Sequence, residues 1–429
     1  MAIDVPADPV TGTQLSGSQD MVLPLGTQAL CQTSFRQQLM SKFLLLHQRD
    51  IKSEGRNMMT WLSAVPSLPS PLRAIETSTY ALCAARLGQI DGNIALQNEG
   101  RRLYGKGLSE LRFALTKPQL LYEDETLGAC MALAMYEICE GTRSGYVNHA
   151  DGAGKLIQLR GPTRHVTGLG HNVFLAYRYM GLIRAMELKE HSFLSESVWR
   201  SLPWQNSVKG PFDRLVDIVL PAPEILRQAE GLGSESPEQQ WRIANELIEQ
   251  CLGTEAQFEL FYRSLDEETP GLLHWPADSV RSPQTPPVIF EFPNITIAAA
   301  VITYWAFLFM VRSGLCRLAA LLDQLKHHLF PLSAEPEYKF RARTTDLDPQ
   351  IGFITLARNI LSSVEYCSME DSGGVRVAVI LAPLGIVADT LRDWPQFQAE
   401  YVQARQALDR VSKLGFKIVQ PVEEQGNRG

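Results

Sequence analysis

The chain has 429 residues, of which 45% are hydrophobic and 20% charged, and its formal net charge is −7. This composition excludes a natively disordered chain, and the length allows one large core or two smaller ones, because a single core stops growing at about 250–300 residues. The negative charge disfavours direct contact with nucleic-acid phosphates and anionic lipids.

Seven cysteines are scattered singly, without a C-x-x-C pair, which is typical of a reducing compartment. The first residues lack the charge and the apolar run of a secretory signal. We therefore expect a protein of the nucleus or cytoplasm.

Residues 1–30 are rich in Gly, Ser, Thr, Asp and Pro without periodicity, which predicts a disordered leader. Beyond them, apolar residues recur at helical spacing. Helices are predicted near 72–86, 103–115, 123–140, 150–160, 173–189 and 241–262. The clearest begins at Glu123-Asp124-Glu125, whose carboxylates suit a positive helix N-terminus, and it ends at Gly141.

Residues 266–294 contain six prolines and are predicted to form a loop between two halves of one domain, residues 31–420, followed by a disordered tail at 421–429. Residues 295–311 are almost continuously apolar but short for a bilayer core, which needs about 20 residues. We interpret residues 295–323 as a buried central helix and expect no membrane contact.

The remaining predicted elements are also helical. They are a short helix near His327 and helices at 352–367, 375–390 and 394–414. Residues 375–381 have strand propensity, but helical spacing continues beyond them. Because no convincing alternating segment occurs, the sequence predicts an all-α, multi-helical array.

Motifs that carry nucleotide, metal or hydrolase chemistry are absent from the sequence. There is no glycine-rich phosphate loop, no H-E-x-x-H or C-x-x-C, and no G-x-S-x-G. His165 and His171 flank a glycine-rich loop and are interpreted as exposed loop histidines rather than metal ligands. We expect no metal and no cofactor, although composition alone does not exclude an enzyme.

The segment from Tyr146 to Pro162 carries the most information. On a helix, His149 and Arg160 bracket a face of small and apolar residues that includes Gly152 and Ala153. Either the two polar residues are satisfied at a helix crossing, or they contact a ligand. Both interpretations stay open at the level of sequence.

This segment resembles the W-x-x-H-x-x-G-A-x-x-L-[IL]-x-x-R-G-[PS] signature of the fungal-specific transcription factor regulatory domain, found in zinc binuclear cluster regulators. Further landmarks follow in the family's order over roughly residues 35–420. They are Ala81–Leu87, Tyr104–Leu115, Glu125–Glu137, Asn294–Leu322 with Tyr304-Trp305, and Leu381–Leu384 leading to Trp394 and Gly415. The resemblance implies an all-α regulatory domain.

Two features depart from the family pattern. Tyr146 stands where the family usually has Trp, and only Cys31 lies in the first 80 residues, so the zinc cluster is missing. The resemblance thus implies a regulator or co-regulator of a fungal pathway, secondary metabolism included, that acts through protein partners such as a DNA-binding regulator, or through a small-molecule metabolite. Direct sequence-specific DNA binding is not expected. A gene model that lost its zinc-cluster exon gives the same pattern.

A different hypothesis makes the helical scaffold a biosynthetic enzyme of isomerase or cyclase type, acting on an apolar fungal metabolite. Its candidate groups are His149, Asp151, Arg160, Tyr136 and Glu137. A pocket between helices 74–190 and helix 295–323 would be lined by Met135, Tyr136, Tyr177, Tyr304 and Trp305. Core packing is the alternative use of these side chains.

Overall fold

The computed structural model describes residues 33–48, 60–277, 288–329, 352–369, 375–416 and 418, and it is almost wholly helical. The predicted all-α class is confirmed. The predicted leader, 1–30, and tail, 421–429, lie outside the described residues. The first eight helices are α1 Thr33–Gln48, α2 Arg73–Ile90, α3 Ile94–Leu115, α4 Pro118–Leu121, α5 Asp124–Glu140, α6 Arg143–Arg160, α7 Gly168–Leu188 and α8 Ser197–Ser201.

The rest of the described chain adds eight helices and a small β pair. The helices are α9 Pro211–Val219, α10 Ala222–Gly231, α11 Pro237–Glu268, α12 Ile295–Leu329, α13 Ile354–Ser362, α14 Val364–Cys367, α15 Val375–Leu391 and α16 Gln398–Lys413. Strands β1 Trp275–Pro276 and β2 Phe290–Glu291 pair antiparallel.

Local sequence explains where several helices begin. The Asn93 side chain accepts a hydrogen bond from the Leu96 backbone N–H at 3.0 Å and caps α3. Thr142 accepts from the Gly145 N–H at 3.1 Å and caps α6. Ser236 and Gln239 form a capping box at α11, where Pro237 occupies the first turn.

Helices α2, α3, α5, α6 and α7 pack into one layered unit. Helix α2 lies between α3 and α5, and α5 in turn packs on α6 and α7. Gly154 of α6 lets Tyr177 of α7 approach closely, since a methyl group at position 154 would overlap the Tyr177 hydroxyl. A neighbouring helix therefore approaches α6 closely at its small residues.

Helices α11 and α12 form an antiparallel pair at the centre of the second half. Tyr304 of α12 contacts Phe258 and Tyr262 of α11, with ring centroids 5.8 and 4.8 Å apart. By length and composition, Ile295–Lys326 is long and apolar enough to cross a membrane, but 78% of its most apolar window is buried inside the molecule. The predicted buried central helix is confirmed.

Several boundaries differ from the sequence-based expectation, and three of the differences have a local cause. Helix α12 continues to Leu329, so the separate short helix near His327 was wrong: nothing breaks helical spacing there. The β1–β2 pair lies within the predicted loop 266–294, because two-residue strands are too short to produce alternation. The last helix begins at Gln398 rather than Trp394, since residues 395–397 form a tighter turn beginning at Pro395.

A single contiguous hydrophobic core runs from Phe35 to Phe416. Helix α9 joins the two halves because it packs on α7 as well as on α11 and α12. Across this joint the rings of Tyr179 and Phe212 lie 5.2 Å apart. The α2–α7 unit is thus connected to the α11–α12 pair through α9.

Candidate functional site

A hydrogen-bonded cluster joins α3, α5 and α6 through Tyr104, Glu137 and His149. The Tyr104 hydroxyl donates to the Glu137 carboxylate, and its oxygen lies 3.3 Å from His149 Nε2. The Tyr104 ring also stacks on Tyr136, with centroids 4.4 Å apart. Three of these residues, Tyr136, Glu137 and His149, are candidates named from the sequence, and the structure brings them together.

The protonation pattern of this cluster follows from its donors. A phenol has one hydrogen, and Tyr104 gives it to Glu137. His149 Nε2 must therefore carry a hydrogen to bond to the Tyr104 oxygen, which leaves Nδ1 as the basic nitrogen. Burial lowers the pKa of His149, although the nearby Glu137 carboxylate opposes that shift. His149 is thus held in its neutral form.

Glu137 also fixes the connection between α5 and α6. Its carboxylate accepts the Thr142 backbone N–H at 2.7 Å, and its side chain is fully enclosed. Gly141 and Gly145 lie directly against it, and a methyl group at either position would overlap the carboxylate. The carboxylate therefore satisfies a backbone donor that the start of α6 would otherwise leave unpaired.

The phenols of the cluster are held protonated. Burial, followed by the hydrogen bond with Glu137, raises the pKa of Tyr104. Burial likewise raises the pKa of Tyr136 to about 12. Met135, the neighbour of Tyr136, is buried within the core around α5. The cluster is half-open to solvent at Tyr104 and His149.

Asp151 takes part in a chain of ion pairs between α6 and α7. It accepts from Arg184 Nε at 2.9 Å, Arg184 contacts Glu187 at 3.3 Å, and Glu187 contacts Arg143 at 2.9 Å. These four residues alternate in charge and connect the solvent sides of two packed helices. Asp151 thus has a structural role.

Arg160 ends α6 and pairs with Asp124 at the start of α5. The other Asp124 oxygen accepts the Gly170 N–H at 2.9 Å, so one carboxylate serves both Arg160 and the first turn of α7. The Arg160 side chain is only 1% exposed. For His149, Asp151 and Arg160, the structure shows contacts at helix crossings; a ligand-contact role stays a prediction.

The remaining candidates lie elsewhere. Tyr177 faces Gly154 and stacks on Phe193 at 6.4 Å, between α6 and α7. Tyr304 packs on α11, whereas Trp305 faces His274 at 4.9 Å beside the β pair. The five residues proposed to line one pocket are therefore distributed over separate side-chain clusters, and a shared ligand pocket stays a prediction.

One buried cluster was missed from the sequence. Arg178, 1% exposed, donates to Asp213 Oδ1 at 2.7 Å and to Asp217, and its guanidinium lies 4.5 Å from the Trp204 ring centroid. Lys209 pairs with Asp217 and lies over the same ring. The available signal was an arginine inside an otherwise apolar stripe of the helix near 173–189. Within the described residues, no group of three or more His, Cys, Asp or Glu side chains is placed to hold a metal ion.

Comparisons with known proteins agree with this architecture. Residues 32–205, which span α1 to the turn after α8, match the model of the fungal specific transcription factor domain. An uncharacterised protein of Emericella nidulans is 27% identical over 152 residues, which are 35% of this chain and 32% of that protein. The match thus spans about a third of the relative's length. A search of solved structures finds no significant match.

The Tyr104–Glu137–His149 cluster and the Asp124–Arg160 pair both lie inside the matched region. Two residues of the signature segment, His149 and Arg160, contact Tyr104 of α3 and Asp124 of α5. Residues 32–205 of this chain therefore match the fungal specific transcription factor domain, both in sequence and in their all-α architecture.

Proposed function

We propose that this chain is the regulatory part of a fungal transcription regulator and that it acts through protein partners rather than by reading DNA itself. The match of residues 32–205 to the fungal specific transcription factor domain carries the proposal. The pathway that it regulates would be a fungal one, secondary metabolism included. Its place of action would be the nucleus, where such partners bind DNA.

The use of charged side chains supports a protein partner over direct DNA contact. The arginines of the matched region that lie deepest, Arg160 and Arg178, are bound to carboxylates, and Arg184 is paired with Asp151. Binding to phosphates relies on exposed cations that displace counterions. Arginines already neutralised by internal carboxylates do not supply that term, and although α3 carries exposed arginines, the net charge of −7 adds repulsion.

The arrangement of the signature residues supports the same proposal. Glu137, Asp151 and Arg160 hold helices together, which leaves the outer helix faces for other proteins. A metabolite that binds near these contacts and changes them would be a second way to regulate the same domain. Native mass spectrometry of the protein from its own host distinguishes a protein partner from a metabolite, because a bound protein and a co-purifying small molecule differ in mass.

The direct experiment tethers the whole chain to an unrelated DNA-binding module upstream of a reporter in a fungal host. Transcription is expected to change several-fold relative to the module alone. In parallel, the purified chain is expected to bind random and genomic DNA without sequence preference. Tight, sequence-specific binding by the purified chain, or a reporter that does not respond in its own host, would contradict the proposal.

The Tyr104–Glu137–His149 cluster also favours a second candidate function, an enzyme of isomerase or cyclase type. Neutral His149 has a basic Nδ1, and the half-open Tyr104, whose hydrogen goes to Glu137, accepts from His149 Nε2–H and so orients the imidazole as a base. Such a pair is able to move a proton on an apolar metabolite. The purified protein is incubated with extracts of its host: a metabolite that changes with the native chain but not with His149→Gln supports this candidate, and no change counts against it.

A further inference from the structure

The net charge of the chain is concentrated on one helix. Helix α11, Pro237–Glu268, carries eight carboxylates and two arginines, a net charge of −6 out of −7 for the whole chain. One of its sides packs on α9, α10 and α12. The opposite side faces solvent, so an acidic field surrounds this exposed face.

The exposed face of α11 has a defined pattern. Residues spaced by three and four along it are Glu249, Gly253, Ala256 and Leu260, all exposed, with Leu260 62% accessible. A methyl group at Gly253 would meet no atom within 4 Å. Glycine weakens a helix relative to alanine, and nothing inside the described chain uses the space beside Gly253. The face thus presents a shallow gap beside an apolar side chain.

Helix α3 carries a matching face of opposite charge. Its Glu and Lys/Arg residues give it a net charge of +2, and Arg101, Gly105, Leu108 and Arg112 are exposed at the same spacing of four, three and four. Gly105 also has nothing within 4 Å of a methyl position. Arg101 contacts only the neutral Asn98 among the hydrogen bonds found for it, so its charge stays available.

From these two faces we infer that this chain associates with a second copy of itself, with the α3 face of one copy packed antiparallel on the α11 face of the next. Leu108 would fill the gap at Gly253, Gly105 would lie opposite the small Ala256, and Leu260 would lie along the stem of Arg101. Arg112 would then face Glu249, and Arg101 would face Glu259.

The spacing of the charges agrees with this register. Arg101 and Arg112 are eleven residues apart, about 16 Å along a helix, and Glu249 and Glu259 are ten residues apart, about 15 Å. Antiparallel packing also places opposite helix dipole ends together. In the described part of the chain, Arg112, Glu249 and Glu259 have no ion-pair partner of their own.

Because two different faces meet, the association is head-to-tail. Each added copy uses one of its two faces and leaves the other exposed, so assembly continues until a ring closes. Sedimentation velocity of the full chain tests this over a range of concentrations in 50 mM and 500 mM salt. We expect an average mass that rises with concentration above the 47.9 kDa monomer, less so in high salt.

Two substitutions on exposed residues test the register. Leu108→Asp, which faces the acidic α11, and Leu260→Lys, which faces Arg101, should each weaken association about tenfold or more without changing the far-ultraviolet spectrum. Val402→Asp, at a residue 40% exposed on α16, is the matched control and should associate like the native chain. Glu249→Lys with Glu259→Lys should weaken association in the same direction.

A mixture of the two leucine variants gives the sharpest result. Each variant keeps one intact face, so an equal mixture should form dimers that stop at two copies, whereas each variant alone should associate about tenfold more weakly than the native chain. A native chain that is monomeric at every concentration in low salt overturns the inference. So does association that Leu108→Asp leaves as strong as in the native chain, or a mixture that forms no dimer.

Discussion

Gly145 lies so close to the Glu137 carboxylate that the two positions must be considered together. An alanine at an interior helix position is normally more stable than glycine by about 1 kcal/mol. At position 145 the added methyl would displace the buried carboxylate from Thr142. We predict that Gly145→Ala lowers the free energy of unfolding in urea by about 1–3 kcal/mol.

Gly152 of the same helix is the control for that prediction. A methyl group there would lie 3.6 Å from Cys130 Sγ, an ordinary contact, so Gly152→Ala should be neutral or stabilising by up to about 1 kcal/mol. In a Glu137→Ala background, Gly145→Ala should lose its penalty. A penalty that persists there would mean that the carboxylate is not its cause.

His165 gives the protein a dependence on acid. The expectation of an exposed loop histidine was wrong, for His171 as well: His165 is fully buried against the rings of Phe174 and Trp199, and its Nδ1–H donates to the Gly170 carbonyl at 3.1 Å. Burial lowers its pKa to about 4, with that hydrogen bond opposing the shift. Between pH 6.5 and 4 the unfolded chain therefore binds the extra proton, so stability is full above pH 6.5 and falls as the pH drops through this window.

The measurement is the free energy of unfolding at pH 7 and pH 4.5. His165 should account for a loss of about 2–3 kcal/mol between them. His165→Asn keeps an N–H donor without titrating in this range, so its loss between the two pH values should be smaller by that amount. Equal losses in the two proteins would show that His165 is not the titrating group.

His149 and Arg160 show how much of the candidate site could be predicted from the sequence. Helical spacing placed His149 and Arg160 near one side of α6, and a helix crossing was one of the two interpretations. The structure shows that His149 contacts Tyr104 and that Arg160 contacts Asp124. These partners come from α3 and α5, and which helix lies against which face depends on tertiary packing that spacing along one helix does not encode.

Among helices, the contact between α7 and α9 depends on Arg178. Its guanidinium is buried between Asp213 and Asp217 beside Trp204. Removing one member of a buried ion pair leaves a charge without a partner. We predict that Arg178→Met lowers the free energy of unfolding by about 3–5 kcal/mol, measured by urea denaturation.

Two comparisons isolate the ion pairs from general effects of the substitution. Arg242→Met breaks the exposed Arg242–Glu246 pair on α11 and should cost less than about 1 kcal/mol. Burial already raises the pKa of Asp213, so Asp213→Asn added to Arg178→Met should restore part of the loss. A double variant no better than Arg178→Met would contradict this account.

Elements with strong periodicity were predictable, and short or interrupted ones were not. The acidic start and Gly141 end of α5 were correct to within a residue or two. The β1–β2 pair was missed because Trp275–Pro276 and Phe290–Glu291 are too short to show a period. Arg178 lies in a helix that was predicted, near 173–189. Its burial depends on contact with α9, a 9-residue helix whose position is set by tertiary packing and was not predicted.

On the scale of the whole molecule, the hydrophobic core does not end where the family match ends. The match stops at residue 205, while the core continues through α9, α11 and α12 to Phe416. Three residues of α9, Leu215, Val216 and Val219, are buried at this joint. We therefore expect the described chain to unfold in one cooperative transition rather than as two independent halves.

A fragment that ends at residue 205 tests this expectation. It retains α7 but lacks α9, so Arg178 loses both carboxylates and Tyr179 loses its contact with Phe212. We predict that fragment 32–205 is helical by far-ultraviolet circular dichroism but lacks a sharp thermal transition and binds a hydrophobic dye. A chain of residues 32–429 is the control and should unfold in one transition that fluorescence and circular dichroism report at the same urea concentration. A fragment with a sharp transition of its own, or two separated transitions in the control, would mean that the core divides at the α7–α9 joint.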